Sequence, residues 1–450
     1  MWRALTSNFS GSDVQRRTAL ELTIGAVAAA VGELAGAGAG AGAARAAGRA
    51  RVVVIGGGFA GAACALHLRA LDSALEIELI DPDRAYVTCP MSNGALVGLR
   101  TLDTLTVTRS GLERRGIRVI SDRAVAIDAD RRKVRLGAGP TIRYDRLVFA
   151  AGIRFLWGRP QGYTEAVSAA LPHAWQAGSQ TRLLAAQIAG LRAGGVVAIS
   201  VPEGPMRCPP GPFERASLIA DYLKRRNPRA KVIILDANNH FPKQDVFTDA
   251  WRDLYPGMID WIPVLDGGAI ERVDPSAKTL YTSQGAVRAD VINIIPPQAP
   301  AQLAVEAGLA SDHGWCPIDP DGFRSALVPN VHVIGDACIS DPMPKAASSA
   351  NAQARRCARA IALALRGRES PAEPLESVCY SLLAADRALS IHARFEIAGG
   401  ALKTVAAAPG EKEPQSPVPS AAEVQNAARW YAGIVADSFG EAGEPAMRPY

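Results

Sequence analysis

The sequence predicts an α/β fold: two doubly wound lobes, each a parallel sheet flanked by helices, and a smaller C-terminal α+β domain. Three observations predict it. Short apolar, β-branched runs recur at Arg51–Ile55, Gly195–Val201, Val232–Asp236 and Val331–Ala337, and such runs read as strands buried on both faces. A turn and a helical stretch follow the first two, as in a strand–crossover–strand unit. The chain has 450 residues, enough for three units at roughly 150 residues each.

Composition narrows the class. Apolar residues make up 48% and charged residues 21%, which excludes wholesale disorder. A net charge of +5 with no block of like charges supports no nucleic-acid footprint. The seven cysteines are too few for a disulfide scaffold, and their odd number leaves at least one free, bound or bridged elsewhere. None lies in Cys-x-x-Cys-His, so no c-type haem is expected in this chain. None makes a Cys-x-x-Cys pair, so no zinc ribbon is expected and no metal site is assigned.

The N-terminus reads as an address. Arg16-Arg17 precede an Ala/Gly-rich apolar run from Leu22 to about Gly42, and small residues surround Ala44-Arg45-Ala46. We read residues 1–48 as a twin-arginine export signal leading to the periplasm; an unstructured tail or an inefficient anchor is the alternative. That pathway carries folded proteins, which suits a chain that takes up a cofactor first. No other stretch reaches 18 apolar residues without charge, so no stable membrane insertion is expected.

The first lobe, read over 49–160 and again over 285–370, is Rossmann-like. Gly56-Gly57-Gly58-Phe59-Ala60-Gly61 follows the first strand and opens a helical stretch, Ala62–Ala70. A second strand, Ile77–Ile80, ends in Asp81. This is the context a dinucleotide-binding glycine motif requires. Gly56 allows the tight turn, Gly58 admits a pyrophosphate against the backbone, and Gly61 lets helix and strand approach. Asp81 is placed for adenosine ribose hydroxyls. Two further segments select FAD. Asp145–Gly152 is a strand ending in small residues at the exit of the lobe, with Gly152 at its end. Val331–Ala337 runs into Gly335-Asp336-Ala337, with Asp336 placed for a ribityl chain. The small-residue helix expected from Ala346 to Leu365 points its N-terminus at the flavin pyrimidine, and Lys345 just before it either stabilises reduced-flavin charge or is a solvated lysine.

The middle lobe, read over 161–284, keeps the fold and loses the nucleotide site. After Val201 the turn carries prolines at 202, 205, 209, 210 and 212, which remove the N–H donors a pyrophosphate cradle needs. Electrons therefore reach the flavin without NAD(P)H. Cys208 stands in this stiff turn just before the helical stretch Ala216–Arg226, where a helix N-terminus favours thiolate. Cys379 lies in Glu376–Ser381. A Cys208–Cys379 bridge is chemically permitted in an exported protein, but sequence does not decide connectivity. Cys64, Cys316, Cys338 and Cys357 read as core. Residues 371–450 are read as the C-terminal interface domain.

The sequence resembles the flavoprotein subunit of flavocytochrome c sulfide dehydrogenase. The segments that carry the resemblance are Tyr86–Cys89 with Ser92-Asn93, Pro172–Gly178, Arg207–Ala216 with its Cys-Pro-Pro-Gly-Pro block, Leu235–Ala237, Gly314–Pro317, Gly335–Cys338, Cys379–Ser381 and Ala428–Gly440. The resemblance implies FAD attached through its 8α-methyl carbon to Cys89, a redox disulfide between Cys208 and Cys379, Glu214 as an active-site base, and a separate c-type cytochrome subunit in the periplasm. Glu214 alone also reads as a carboxylate favoured by a helix N-terminus. Two places depart from the pattern: Pro90-Met91 after Cys89, and the tail Glu441–Tyr450.

The chemistry expected is attack of hydrosulfide on the disulfide, with electrons passing through FAD one at a time to the cytochrome. A sulfide:quinone oxidoreductase is the alternative; it would need an apolar docking helix, and the C-terminal stretch has Trp430, Tyr431, Ile434 and Phe439 but is broken by Gly433, Asp437 and Gly440. A flavin electron-relay subunit with another sulfur substrate, or with none of its own, is a further reading, and an NAD(P)H-dependent reductase is disfavoured by the proline-filled turn.

Overall fold

The computed structural model describes residues 49–405 and 418–441; the twin-arginine segment and most of the proline-rich stretch 414–419 lie outside them. In the first lobe, chain order is β1 (Arg51–Ile55), α1 (Phe59–Leu71), β2 (Glu76–Ile80), β3 (Ala85–Val87), α2 (Ser92–Leu96), β4 (Thr106–Thr108), α3 (Ser110–Glu113), β5 (Arg118–Ile120), β6 (Ala124–Asp128), β7 (Lys133–Leu136), β8 (Thr141–Arg143) and β9 (Arg146–Phe149). The strand β10 (Ile153–Phe155) leads out of it. The middle of the chain continues with α4 (Ser179–Ala189), β11 (Val196–Val201), α5 (Gly211–Arg226), β12 (Lys231–Asp236), α6 (Gln244–Leu254), β13 (Ile259–Ile262), β14 (Ile270–Asp274), β15 (Thr279–Thr282), β16 (Gly285–Arg288) and β17 (Val291–Ile294). Then β18 (Gln298–Pro300), α7 (Gln302–Glu306), β19 (Ile318–Asp319), β20 (Arg324–Ser325), β21 (Val331–Val333) and α8 (Ala347–Ala364) return to the first lobe. The end of the chain adds β22 (Leu375–Ala384), β23 (Arg387–Ala398), β24 (Ala401–Thr404) and α9 (Ala421–Phe439).

The main sheet runs β19-β20-β21-β9-β1-β2-β5, and its β21-β9-β1-β2-β5 portion is parallel. Val52, Val53 and Val54 are wholly buried, as expected of a central strand covered on both faces. The ladders bring the two fingerprint segments to within one strand of each other, with β9 between β1 and β21. Helices α1 and α8 pack against each other, and bury small residues there: Ala62, Ala63 and Cys64 on one, Ala354, Cys357 and Ala358 on the other, all fully buried. Small side chains let the two helix backbones approach closely, which brings both N-termini to the same region of the sheet.

The middle sheet has the order β13-β12-β11-β17, all parallel. Its last strand, β17, lies beyond residue 284, where the sequence reading ended this lobe. The pairing of Val197 through Ser200 with Val291 through Ile294 moves the boundary past Ile294. The strand pair β10·β18 then carries both connections between the two sheets. The three-stranded β22-β23-β24 sheet and α9 complete the unit, with Tyr431, Val435 and Phe439 of α9 buried. Among the described residues no helix is long and apolar enough to cross a membrane.

Candidate active site

The glycine turn is built by close contact. Gly56 has φ +97°, and a Cβ there would lie 2.4 Å from the Ala150 carbonyl oxygen. A Cβ at Gly61 would lie 1.9 Å from the Gly56 carbonyl oxygen, so the turn and the first turn of α1 touch directly. At Gly58, which caps α1, a Cβ would meet nothing within 4 Å. Open space before a helix N-terminus is what a pyrophosphate needs. Asp81 accepts a 2.5 Å hydrogen bond from the Gly57 N–H, which ties the end of β2 to the turn. Gly152, with φ +67°, ends the β9 segment, and its carbonyl accepts from Ala301 N at 3.0 Å.

The second fingerprint turns at Gly335 (φ +77°), whose N–H donates to Gln353 Oε1 on α8 at 2.7 Å. Asp336 is half-buried, and burial raises its carboxyl pKa while Arg207 and Lys345 oppose the rise. Lys345 is not a solvated lysine: it is 8% exposed, donates to the Cys338 carbonyl at 2.8 Å, and lies 3.8 Å from the centre of the Trp315 ring. Burial lowers its pKa.

The proline turn starts α5 earlier than the sequence suggests. Pro210 is its N-cap and Pro212 its second residue, because proline is tolerated where helix N–H groups lack partners anyway. Cys208 sits two residues before that cap in a left-handed conformation, φ +53°. Its N–H donates to the Lys345 carbonyl at 2.7 Å, so this turn is pinned to the start of α8. The expectation of a thiol acidified by the helix is overturned. Burial pushes the Cys208 thiol up, the charges of Glu214, Cys379 and Cys89 push further, and only Arg207 opposes them. Burial also raises the Cys379 thiol, but Ser348 and Ser377 favour its thiolate, with Ser348 Oγ 2.9 Å from the sulfur. All seven cysteines are free thiols in the structure, and Cys64, Cys316, Cys338 and Cys357 are buried core as expected.

Glu214 lies in the first turn of α5 and is 7% exposed. Its Oε1 accepts from Leu382 N at 3.2 Å and its Oε2 from Asn93 Nδ2 at 3.1 Å. Burial raises its pKa to about 7, against those hydrogen bonds and the charge of Arg215. A carboxyl poised there exchanges protons at neutral pH, which a solvated helix-terminal carboxylate does not.

Several side chains that hold this site were not legible beforehand. Arg215 is 2% exposed and donates to Asn93 Oδ1, the carbonyls of His173 and Ala174, and Asn293 Oδ1, while it stacks 4.9 Å from the Trp175 ring. This locks the Pro172–Gly178 segment onto α5. Arg207 donates to the Trp175 carbonyl; burial opposes its charge, yet Cys89, Asp336, Tyr86 and Cys208 around it hold its pKa above the ordinary value. Cys89 Sγ lies 3.9 Å from the same Trp175 carbonyl. Arg109, 3% exposed, pairs with Asp81 at 3.4 Å.

The structure thus gathers Cys89, Cys208, Cys379, Glu214, Asp336 and Lys345 through shared electrostatic contacts and backbone bonds. Gly56, Gly58, Gly61 and Asp81 form a second group. Tyr86 links the two, since it interacts with Arg109 on one side and with Cys89, Arg207 and Asp336 on the other. An open space at a helix N-terminus, an acid beside it, and a distant acid–lysine pair fit the pyrophosphate, ribose and flavin ends of FAD. Among the described residues no group of three metal-ligating side chains occurs.

Comparison with known proteins agrees with this division. Residues 50–167 match the family model of pyridine nucleotide-disulphide oxidoreductases. Residues 181–296 match the model described as "Sulfide dehydrogenase [flavocytochrome c] flavoprotein chain, central", and residues 371–439 the flavin-binding model of flavocytochrome c sulphide dehydrogenase. A sulfide dehydrogenase [flavocytochrome c] flavoprotein chain from Chlorobaculum thiosulfatiphilum is 56% identical over 43 residues, 10% of this chain and 90% of that one. The mitochondrial sulfide:quinone oxidoreductase of Dictyostelium discoideum is 23% identical over 68% of each chain. Among solved structures, the sulfide:quinone oxidoreductase of Aquifex aeolicus has a TM-score of 0.63 at 22% identity, covering 79% of this chain and 86% of that one. Putidaredoxin reductase, in its covalent complex with putidaredoxin, has a TM-score of 0.59 at 20% identity, covering 78% and 82%. At these identities the likeness is one of fold.

Proposed function

The chain belongs to the flavoprotein family of flavocytochrome c sulfide dehydrogenase, FAD-binding oxidoreductases, and from that premise we propose that it oxidises hydrosulfide through a disulfide between Cys208 and Cys379. The observation that carries this reading is the carboxyl of Glu214. It stands six residues after Cys208, accepts from Leu382, three residues after Cys379, and accepts from Asn93, four residues after Cys89. One acid poised near neutral pH therefore joins the three segments that bear the half-buried cysteines.

The residues give the reaction a direction. Hydrosulfide attacks Cys208 Sγ, a new S–S bond gives the persulfide Cys–S–SH on Cys208, and the Cys208–Cys379 S–S bond breaks with its electron pair on Cys379. Ser348 and Ser377 stabilise that departing thiolate by hydrogen bonds, and a stabler thiolate leaves faster. Glu214 takes the proton of the persulfide or of incoming hydrogen sulfide. A second hydrosulfide attacks the outer sulfur and releases HSS⁻, which leaves Cys208 and Cys379 both as thiolates and the dithiol holding two electrons. Cys89, Asp336 and Lys345 would hold FAD, at its 8α-methyl, ribityl and pyrimidine parts respectively, and the flavin would supply the chemistry that turns a two-electron reduction into single-electron transfers. The acceptor is a separate c-type cytochrome subunit, and the twin-arginine segment delivers the folded flavoprotein to the periplasm.

A quinone-reducing reaction is the second reading, favoured by the shared fold. Against it, Tyr431, Ile434 and Phe439 of α9 are buried rather than offered to a membrane. The test is acceptor choice. Sulfide-reduced protein mixed anaerobically with cytochrome c, a soluble quinone or NAD⁺ should be reoxidised fastest by the cytochrome. Preference for quinone, or reduction of NAD⁺, would overturn the reading.

A further inference from the structure

Arg109 is a buried cation with donors to spare. It stands alone between β4 and α3, and Nη2 alone of its nitrogens meets an acid, Asp81, at 3.4 Å. Its Nε and Nη1 are buried and have no hydrogen-bond partner. The Tyr86 and Phe439 rings, themselves 5.8 Å apart, pack beside the guanidinium at 5.7 and 5.8 Å. A Cβ at Gly57 would come within 2.8 Å of the guanidinium carbon, so the group lies directly against the glycine turn. That turn, Gly56-Gly57-Gly58-Phe59-Ala60-Gly61, has no basic side chain of its own, and Gly58 faces open space at the α1 N-terminus. A guanidinium desolvated without full pairing is costly and persists where a ligand completes it.

We infer that Arg109 is a cofactor-binding residue: its free N–H groups donate to the anionic pyrophosphate oxygens at the glycine turn, while its contact with Asp81 sets that carboxylate for the adenosine ribose. This inference rests on the reading that the first lobe binds FAD. It also gives α9 a part in cofactor binding, since Phe439 is one of the two rings that fix the guanidinium, and the chain just beyond it is tied to the same segment by Glu441 hydrogen bonds to Thr108 and Ser110.

ADP probes the adenosine-pyrophosphate half alone. In a full-length Cys89→Ala chain stripped of flavin, ADP binding is measured by calorimetry, with FAD and AMP alongside. Arg109→Gln should weaken ADP and FAD by about 10- to 100-fold, with a smaller loss for AMP. Arg109→Lys keeps the charge and loses the fork, and should recover part of the loss. ADP affinity within twofold of the parent in a folded Arg109→Gln chain would overturn the inference. If that variant does not fold, Arg109→Lys decides: at least a fivefold loss of ADP affinity supports the assignment, and an unchanged affinity overturns it. A parent chain that binds neither ADP nor FAD would instead overturn the FAD reading beneath it.

Discussion

The amide of Asn93 and the carboxylate of Glu214 are hydrogen-bonded at 3.1 Å, and the same Asn93 amide also donates to the Gly211 carbonyl at 3.1 Å. Its oxygen accepts from Arg215 at 3.0 Å. One side chain on α2 therefore grips the first turn of α5 at three points. Because α2 follows Cys89 and α5 follows Cys208, the segment proposed to hold the flavin and the segment proposed to hold the disulfide move as one body.

Glu214 gives the protein a pH-dependent stability of stated sign. Its folded-state pKa is raised, from 4.5 to about 7, so its protonated form is favoured by folding. The resulting stabilisation is complete below about pH 4.5 and is lost as pH rises through about 7, a change of about 3 kcal/mol. Glu214→Gln removes this dependence. Thermal unfolding from pH 5 to 8 should show the variant gaining on the parent as pH rises; parallel curves would contradict the assignment.

Asn93 favours the charged form of Glu214, so Asn93→Ala should raise the Glu214 pKa by about one unit. The acidic limb of sulfide-dependent flavin reduction, below which Glu214 is protonated and cannot accept a proton, should shift upward with it. The Glu214→Gln variant should lose that limb and retain only the ionisation of sulfide itself. An unshifted profile in Asn93→Ala would show that the amide merely fills space.

Ser348 bears on the departing thiolate. Removing its hydroxyl in Ser348→Ala leaves Cys379 with fewer donors, and the rate of flavin reduction by sulfide should fall about tenfold with little change in stability. Stopped-flow absorbance measures this; an unaltered rate would place the leaving group on Cys208 instead.

Thiol counting tests both cysteine assignments at once. A disulfide hides two of the seven thiols and a flavin thioether hides one, so the denatured protein should titrate four and, after reduction, six. Acid-precipitated parent should stay yellow, and Cys89→Ala should lose its colour. Seven titratable thiols would remove both bonds together.

The parts of the site legible in the sequence are those whose chemistry needs a fixed local spacing. Gly56 and Gly61 are set by turn sterics, Gly58 by the open space at a helix N-terminus, Asp81 by the length of one helix and one strand, and Asp336 by the strand that β9 separates from β1. Arg109, Asn93 and Arg215 had no such spacing to betray them, because each is a single polar residue whose partners come from distant elements. The Cys208 thiol is held up by burial although it precedes a helix, which was not legible because a helix terminus is visible in sequence and desolvation is not. The start of α5 was set too late because a proline run reads as a loop, although a helix accepts proline in its first turn. The lobe boundary failed at β17, a four-residue strand indistinguishable from one that returns to the first sheet.

The central claim is that reducing equivalents enter through Cys208 and Cys379. Anaerobic titration with sulfide, followed by flavin absorbance, tests it in the parent, Cys208→Ser and Cys379→Ser proteins. The account predicts that the parent flavin bleaches and that neither serine variant bleaches at a comparable rate, although dithionite still reduces all three. Bleaching of Cys208→Ser by sulfide at the parent's rate would contradict it.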